Sequence, residues 1–111
     1  MGKGYCSVAT LMTYRDFQGL QIRLPTERLS HIHVAHEYMM GLEWIIQQTL
    51  EEPEAVRRST SDPVRVRLYY RRFGGPVIRG RYICVVVKLQ GDDAFVLTAY
   101  IADNVKRGDL V

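Results

Sequence analysis

An α+β fold, with an N-terminal helical segment packed on a four-stranded antiparallel sheet, follows from three features of the sequence. Apolar residues recur at helical spacing between residues 26 and 50. Val64-Arg65-Val66-Arg67-Leu68-Tyr69-Tyr70-Arg71 alternates strictly, the mark of a half-buried strand. Two β-branched and aromatic runs, Tyr82–Val87 and Ala94–Tyr100, flank the turn signal Gln90-Gly91-Asp92-Asp93, and strands joined so tightly must be antiparallel. A chain of 111 residues, 47% hydrophobic and 24% charged, is expected to form one domain around one core.

Residues 1–17 read either as a flexible lead or as an edge strand. Leu20–Leu24 alternates and forms a short strand that Pro25 stops. Thr26 then serves as a helix N-cap, with Glu27 in the first turn where the helix dipole favours an acid. Leu29, Ile32 and His36 share one helix face. Met39, Leu42, Ile45, Ile46 and Leu50 define a second helical stretch, in which Gly41 costs about 1 kcal/mol relative to alanine and favours a break near residues 37–41. Pro53 closes the helical region. Ala55–Thr60 reads as a strand and Ser61-Asp62-Pro63 as a turn. The arginine strand spans Val64–Phe73, and Gly74-Gly75-Pro76 forms a loop. Tyr82–Val87, apolar throughout, fits a central strand covered on both faces.

The net charge of +3 conceals a block. Val56–Arg81 holds eight arginines and one acid, a local +7, so the remainder sums to −4. Arginine outnumbers lysine twelve to three, which favours planar, bidentate recognition of phosphate or carboxylate over diffuse attraction. With Val64, Val66, Leu68 and Tyr70 packed, the strand would present Arg65, Arg67, Tyr69 and Arg71 on an open face. That face is either a solvated, solubilising surface or a platform for RNA or another polyanion. Seven tyrosines, among them Tyr69, Tyr70, Tyr82 and Tyr100, either serve as ordinary strand formers or offer rings on which bases stack.

Cys6 and Cys84 read as free thiols of a reducing compartment. The N-terminus has neither the pattern of a secretory signal nor that of a myristoylation site, and no segment approaches a membrane span. A cytoplasmic protein with no membrane partner is the expectation. No phosphate-binding glycine loop or nucleophile elbow is present.

His31, His33 and His36 form a weak metal set, because His31 and His36 point roughly 140° apart on a helix; no metal and no cofactor are expected. Imidazoles do suit acid–base chemistry near neutral pH. Beside arginines they would fit metal-free RNA cleavage, in which a base takes the 2′-hydroxyl proton and guanidinium groups stabilise charge on the phosphoryl oxygens. Otherwise His36 is a hydrogen-bonded core residue. Thr98 and Tyr100 share a face of the last strand, where they would contact a phosphate or a base.

The ordered set Leu29-Ser30-His31-Ile32, His36-Glu37, Thr49–Val56, Tyr69-Tyr70-Arg71-Arg72, Val85–Lys88 and Phe95–Tyr100 resembles the phage- and mobile-element-borne domains grouped with the barnase, EndoU, colicin and RelE nuclease folds. The resemblance covers roughly residues 26–103. It implies a metal-independent, toxin-like ribonuclease with catalytic His31, His36, Arg71 and Thr98, substrate contacts from Tyr70 and Tyr100, and an antitoxin or immunity partner. Ala35 and Glu37 depart from the family's usual Arg and Pro around the second histidine. The competing expectation is a non-catalytic phage or mobile-element module that binds nucleic acid or an acidic protein. In either reading Arg65, Arg67 and Tyr69 would help hold the ligand.

Overall fold

The computed structural model describes residues 10–29, 32, 42–106 and 108. Six strands form one mixed sheet: β1 (Thr10–Arg15), β2 (Gln21–Pro25), β3 (Ala55–Arg58), β4 (Val66–Arg72), β5 (Tyr82–Gln90) and β6 (Asp93–Ala102), in the order β1-β2-β6-β5-β4-β3. Helices are short: α1 (Thr26–Leu29) is a single turn and α2 (Leu42–Glu51) spans ten residues. This corrects the expected helical layer on a four-stranded antiparallel sheet. Among the described residues the helical segment amounts to two short pieces, an N-terminal hairpin adds two strands, and β2 runs parallel to β6. Local pattern gives each strand its two faces but not its neighbours, so a β2–β6 pairing between segments some seventy residues apart leaves no trace in either.

Local chemistry explains the elements. In α2, Ile45, Ile46, Thr49 and Leu50 are buried on one stripe. The Thr49 hydroxyl donates to the Ile45 carbonyl at 2.8 Å, and Gln47→Glu51 and Gln48→Glu52 side-chain bonds brace the exposed side. β1 and β2 are joined at Asp16, whose Oδ1 accepts the amides of Gln18 (2.9 Å) and Leu20 (2.8 Å). Gly19 supplies the positive φ of +87° that the turn demands. β5 and β6 meet at a two-residue turn, Gly91-Asp92, with Gly91 at φ +60°.

The main core lies on the face that α2 covers. Ile22 and Leu24 of β2, Tyr69 of β4, Ile83, Val85 and Val87 of β5, and Val96 and Ala99 of β6 meet Ile45, Ile46 and Leu50 of α2 there. Ile32 joins the same core. A second, smaller cluster of Leu68, Tyr70 and Cys84 sits on the far face, with Tyr82, Val86, Tyr100 and Val105 packed around it.

β4 thereby reverses the expected orientation of the arginine strand. Tyr69, expected on an open face, is fully buried at the centre of the main core, while Leu68 and Tyr70 lie beneath the far face. Register causes the exchange. Tyr69 pairs with Val85, and Val85 with Ala99, so Tyr69 must share the face that the apolar residues of β5 and β6 give to α2. Arg67 and Arg71 flank Tyr69 on this same face, their stems packed and their heads reaching its margins. Arg65 precedes the strand, in the turn.

Candidate functional site

The helix-covered face holds most of the expected ligand-binding arginines, and it holds them in structural contacts. Asp16, with a side chain 0% exposed, receives the Tyr69 phenol at 2.7 Å through Oδ2 and stands 4.0 Å from Arg67 Nη1. Burial, and then the hydrogen bond to Asp16, push the Tyr69 pKa well above the ordinary phenol value. Arg67, 23% exposed in its side chain, faces an open cleft of about 580 Å³ between the two hairpin turns, lined also by Gln18, Leu20, Leu89 and Asp92. Arg71 Nη1 donates to the Glu52 carbonyl at 2.6 Å and Nη2 lies 3.9 Å from the Glu52 carboxylate. It thus ties β4 to the C-terminal end of α2, where the helix dipole favours a cation. Arg65 pairs with Asp62 at 3.3 Å. In the β4–β5 loop, Arg79 donates to the Pro76 carbonyl and Arg81 to those of Val77 and Ile78. The basic block of the sequence is therefore largely spent on holding turns and helix ends.

The far face carries a different arrangement, in rows that run across the strands. Val66, Lys88, Phe95, Arg23 and Thr13 are successive partners across five strands. Arg57, Leu68, Val86 and Thr98 form the next row, and Ala55, Tyr70, Cys84 and Tyr100 the third. Arg72, Tyr82 and Ala102 complete the surface. Successive rows lie about 7 Å apart, twice the rise per residue of a strand.

Cations sit over rings on this face. Arg23 lies 5.3 Å from the Phe95 ring centre, Arg72 5.0 Å from that of Tyr82, and the Lys106 ammonium 5.9 Å from that of Tyr100. Arg23 also grips Asp93 through two hydrogen bonds of 2.9 and 2.7 Å. That bond, foremost, holds the Asp93 carboxyl below its ordinary value. Arg72 shares Glu54 at 3.6 Å. Arg57, Lys88 and Lys106 have no acidic partner within salt-bridge distance among the described residues.

Beneath these groups the Tyr70 and Tyr100 phenols pack around the buried Cys84 thiol. Desolvation raises the thiol pKa. It also pushes Tyr70 up to about 12 and Tyr100 higher still. The centre of the far face is therefore neutral, and its charge lies around it.

The sequence-derived site residues divide between the two sides. Arg67, Tyr69 and Arg71 belong to the helix-covered face; Thr98, Tyr70 and Tyr100 belong to the far face, and the sheet separates Arg71 from Thr98. His31 and His36 lie outside the described residues. Arg23, Lys88, Phe95 and Asp16 were not singled out from the sequence. Asp16-Phe17-Gln18-Gly19 carried a signal that could have marked the buried acid, since Asp at the first and Gly at the fourth position favour a type I turn.

No family model, curated protein or solved structure matches the chain. Among the described residues no helix is long and apolar enough to cross a membrane.

Proposed function

We propose that this chain is a nucleic-acid-binding module that holds single-stranded RNA on the far face of its sheet. The observation that carries this reading is the interleaving of Arg57, Lys88 and Lys106, none with an acidic partner among the described residues, with the half-buried rings of Phe95, Tyr82 and Tyr100. Cations at this spacing neutralise backbone phosphates, and rings between them offer flat surfaces to unstacked bases. Arg67 and Arg71 frame the sheet in this scheme and do not touch the RNA. A buried free thiol at Cys84 suits a reducing compartment, and we place the protein in the cytoplasm.

Binding rather than cleavage is the preferred reading because Arg71 and Thr98, two of the four residues that the nuclease-like resemblance singles out, face opposite sides of the sheet and do not meet at one phosphate. A labelled oligouridine of about 12 nucleotides, titrated by fluorescence anisotropy, tests the proposal. Affinity should fall by roughly twentyfold between about 50 and 200 mM salt, as expected when about three phosphates of a single strand are neutralised. Combined Arg57→Glu and Lys88→Glu should weaken binding at least about tenfold, whereas Arg65→Glu should change it less than about threefold. Equal losses in both variants would reduce the interaction to net charge and remove the case for the far face. The same RNA incubated without metal and resolved on a denaturing gel should stay intact; cleavage that Arg71→Ala abolishes would replace the binding reading with the catalytic one.

A further inference from the structure

We infer that the C-terminal segment is a strap across the RNA face, and that RNA must displace it to reach the aromatic half of that face; this rests on the binding reading above. The chain leaves β6 at Ala102, turns at Asp103-Asn104, and doubles back over the far face. Val105 packs against the Leu68–Tyr70–Cys84 cluster. The Lys106 amide donates to the Tyr70 phenol at 3.2 Å, and the Lys106 ammonium stands over Tyr100. Gly108 has reached the opposite edge of the sheet at β3: a methyl group built on it would collide with the Arg58 carbonyl and touch Arg57 Cβ at 3.5 Å. Val105, Lys106 and Gly108 therefore lie between β6 and β3, over the second and third rows.

The covered and uncovered parts of the face have complementary chemistry. Lys88 and Phe95, in the first row, lie outside the contacts that Val105, Lys106 and Gly108 make. Tyr70, Cys84 and Tyr100, in the third, lie beneath it. Lys106 occupies the ring of Tyr100 that a base would stack on, so both cannot use it at once. The strap is held by apolar contact, one neutral hydrogen bond and a cation–ring contact, with no ion pair among the described residues. It also brings Lys106 onto a surface that already holds Arg57 and Arg72. A polyanion relieves that repulsion while competing for the ring, which makes the strap a contact that RNA itself can release.

The charge of the strap makes the test discriminating. Removal of residues 104–111 deletes two cations, Lys106 and Arg107, and one acid, Asp109, a net loss of one positive charge, so simple electrostatics demands weaker RNA binding. A displaceable strap demands the opposite, because the apparent dissociation constant is raised by the fraction of molecules in which the face is closed. Full-length and shortened chains are titrated with the same labelled oligouridine, alongside Gly108→Leu, which keeps every charge but cannot seat against Arg58. Binding about tenfold tighter in the shortened chain, and tighter in Gly108→Leu, is the expected result. If the shortened chain does not fold, Gly108→Leu decides alone. Unchanged or weaker binding in these variants overturns the strap while leaving the RNA face intact. No binding by any of them, full-length chain included, removes the face and the strap together.

Discussion

The two faces of this sheet use the same residue types for opposite ends. On the helix-covered face, arginine, tyrosine and aspartate form closed contacts: Asp16 takes two backbone amides and the Tyr69 phenol, and Arg71 takes the Glu52 carbonyl. On the far face, arginine, lysine and tyrosine form open ones, with cations over half-buried rings and a short segment as cover. The difference teaches that charge density along a sequence does not locate charge available to a ligand. Most of the +7 block serves the frame, whereas Lys88, a lone lysine in an apolar strand, stands on the surface proposed to hold RNA.

Raising the pH should separate the faces most forcefully. Tyr14 and Tyr69 on the helix side, and Tyr70 and Tyr100 on the far side, all have phenol pKa values raised chiefly by burial. A group whose folded pKa exceeds its unfolded value, about 10 for tyrosine, contributes fully below that value and loses its contribution as the pH climbs toward the folded one. Stability should hold to about pH 10 and fall steeply above it. Absorbance at 295 nm, followed with circular dichroism, should show Tyr70 and Tyr100 ionising first, reached by lifting the strap, and Tyr14 and Tyr69 ionising only as secondary structure is lost. Ionisation of all four in one step, coincident with unfolding, would make the far face as closed as the other.

Asp16→Ala should be the most damaging single substitution in the frame. It leaves the Tyr69 phenol and the amides of Gln18 and Leu20 without their acceptor and deprives Arg67 of its counter-charge, at a cost of about 3 kcal/mol in urea unfolding. Tyr69→Phe removes one bond while the acid keeps its two amides, and about 1.5 kcal/mol is expected. Costs near zero for both would mean that the helix-covered face is no more fixed than the other.

Legibility in the sequence followed the range of the interaction. The β5–β6 hairpin was legible because Gln90-Gly91-Asp92-Asp93 holds its turn chemistry within four residues. The apolar stripe Ile45, Ile46 and Leu50 of α2 was legible for the same reason. β4 was legible as a strand but not in its orientation: Val64–Arg71 alternates, yet which side packs is decided by neighbours on other strands, namely Val85 and, through its pairing with Val85, Ala99. The parallel β2–β6 contact was not legible, since its one register pair, Arg23 with Phe95, joins residues with no local relation. The far-face site was legible only in part. Tyr70, Thr98 and Tyr100 were identified, but Arg23, Lys88 and Phe95 become neighbours only once the sheet has formed.

That parallel contact supplies the smallest effect and the sharpest contrast with Asp16. Arg23 and Asp93 form a bidentate pair like those of buried sites, yet their side chains remain 30% and 43% exposed, so solvent screens them and the pair should contribute below about 1 kcal/mol. Its pH dependence has a defined sign. The Asp93 carboxyl is held below its usual value, first by the hydrogen bond from Arg23. Its contribution is therefore complete above the ordinary carboxylate pKa of about 4 and disappears as the pH falls through the depressed value, while Arg23 stays charged throughout. Asp93→Asn should lower the melting temperature by a few degrees or less at neutral pH, and the gap from the parent chain should close as the pH falls through the depressed value. A large, pH-independent loss would assign Asp93 a packing role in the hairpin turn instead; a small one that salt diminishes would show that the far face, unlike the frame around Asp16, is built from contacts that water and ions can reach.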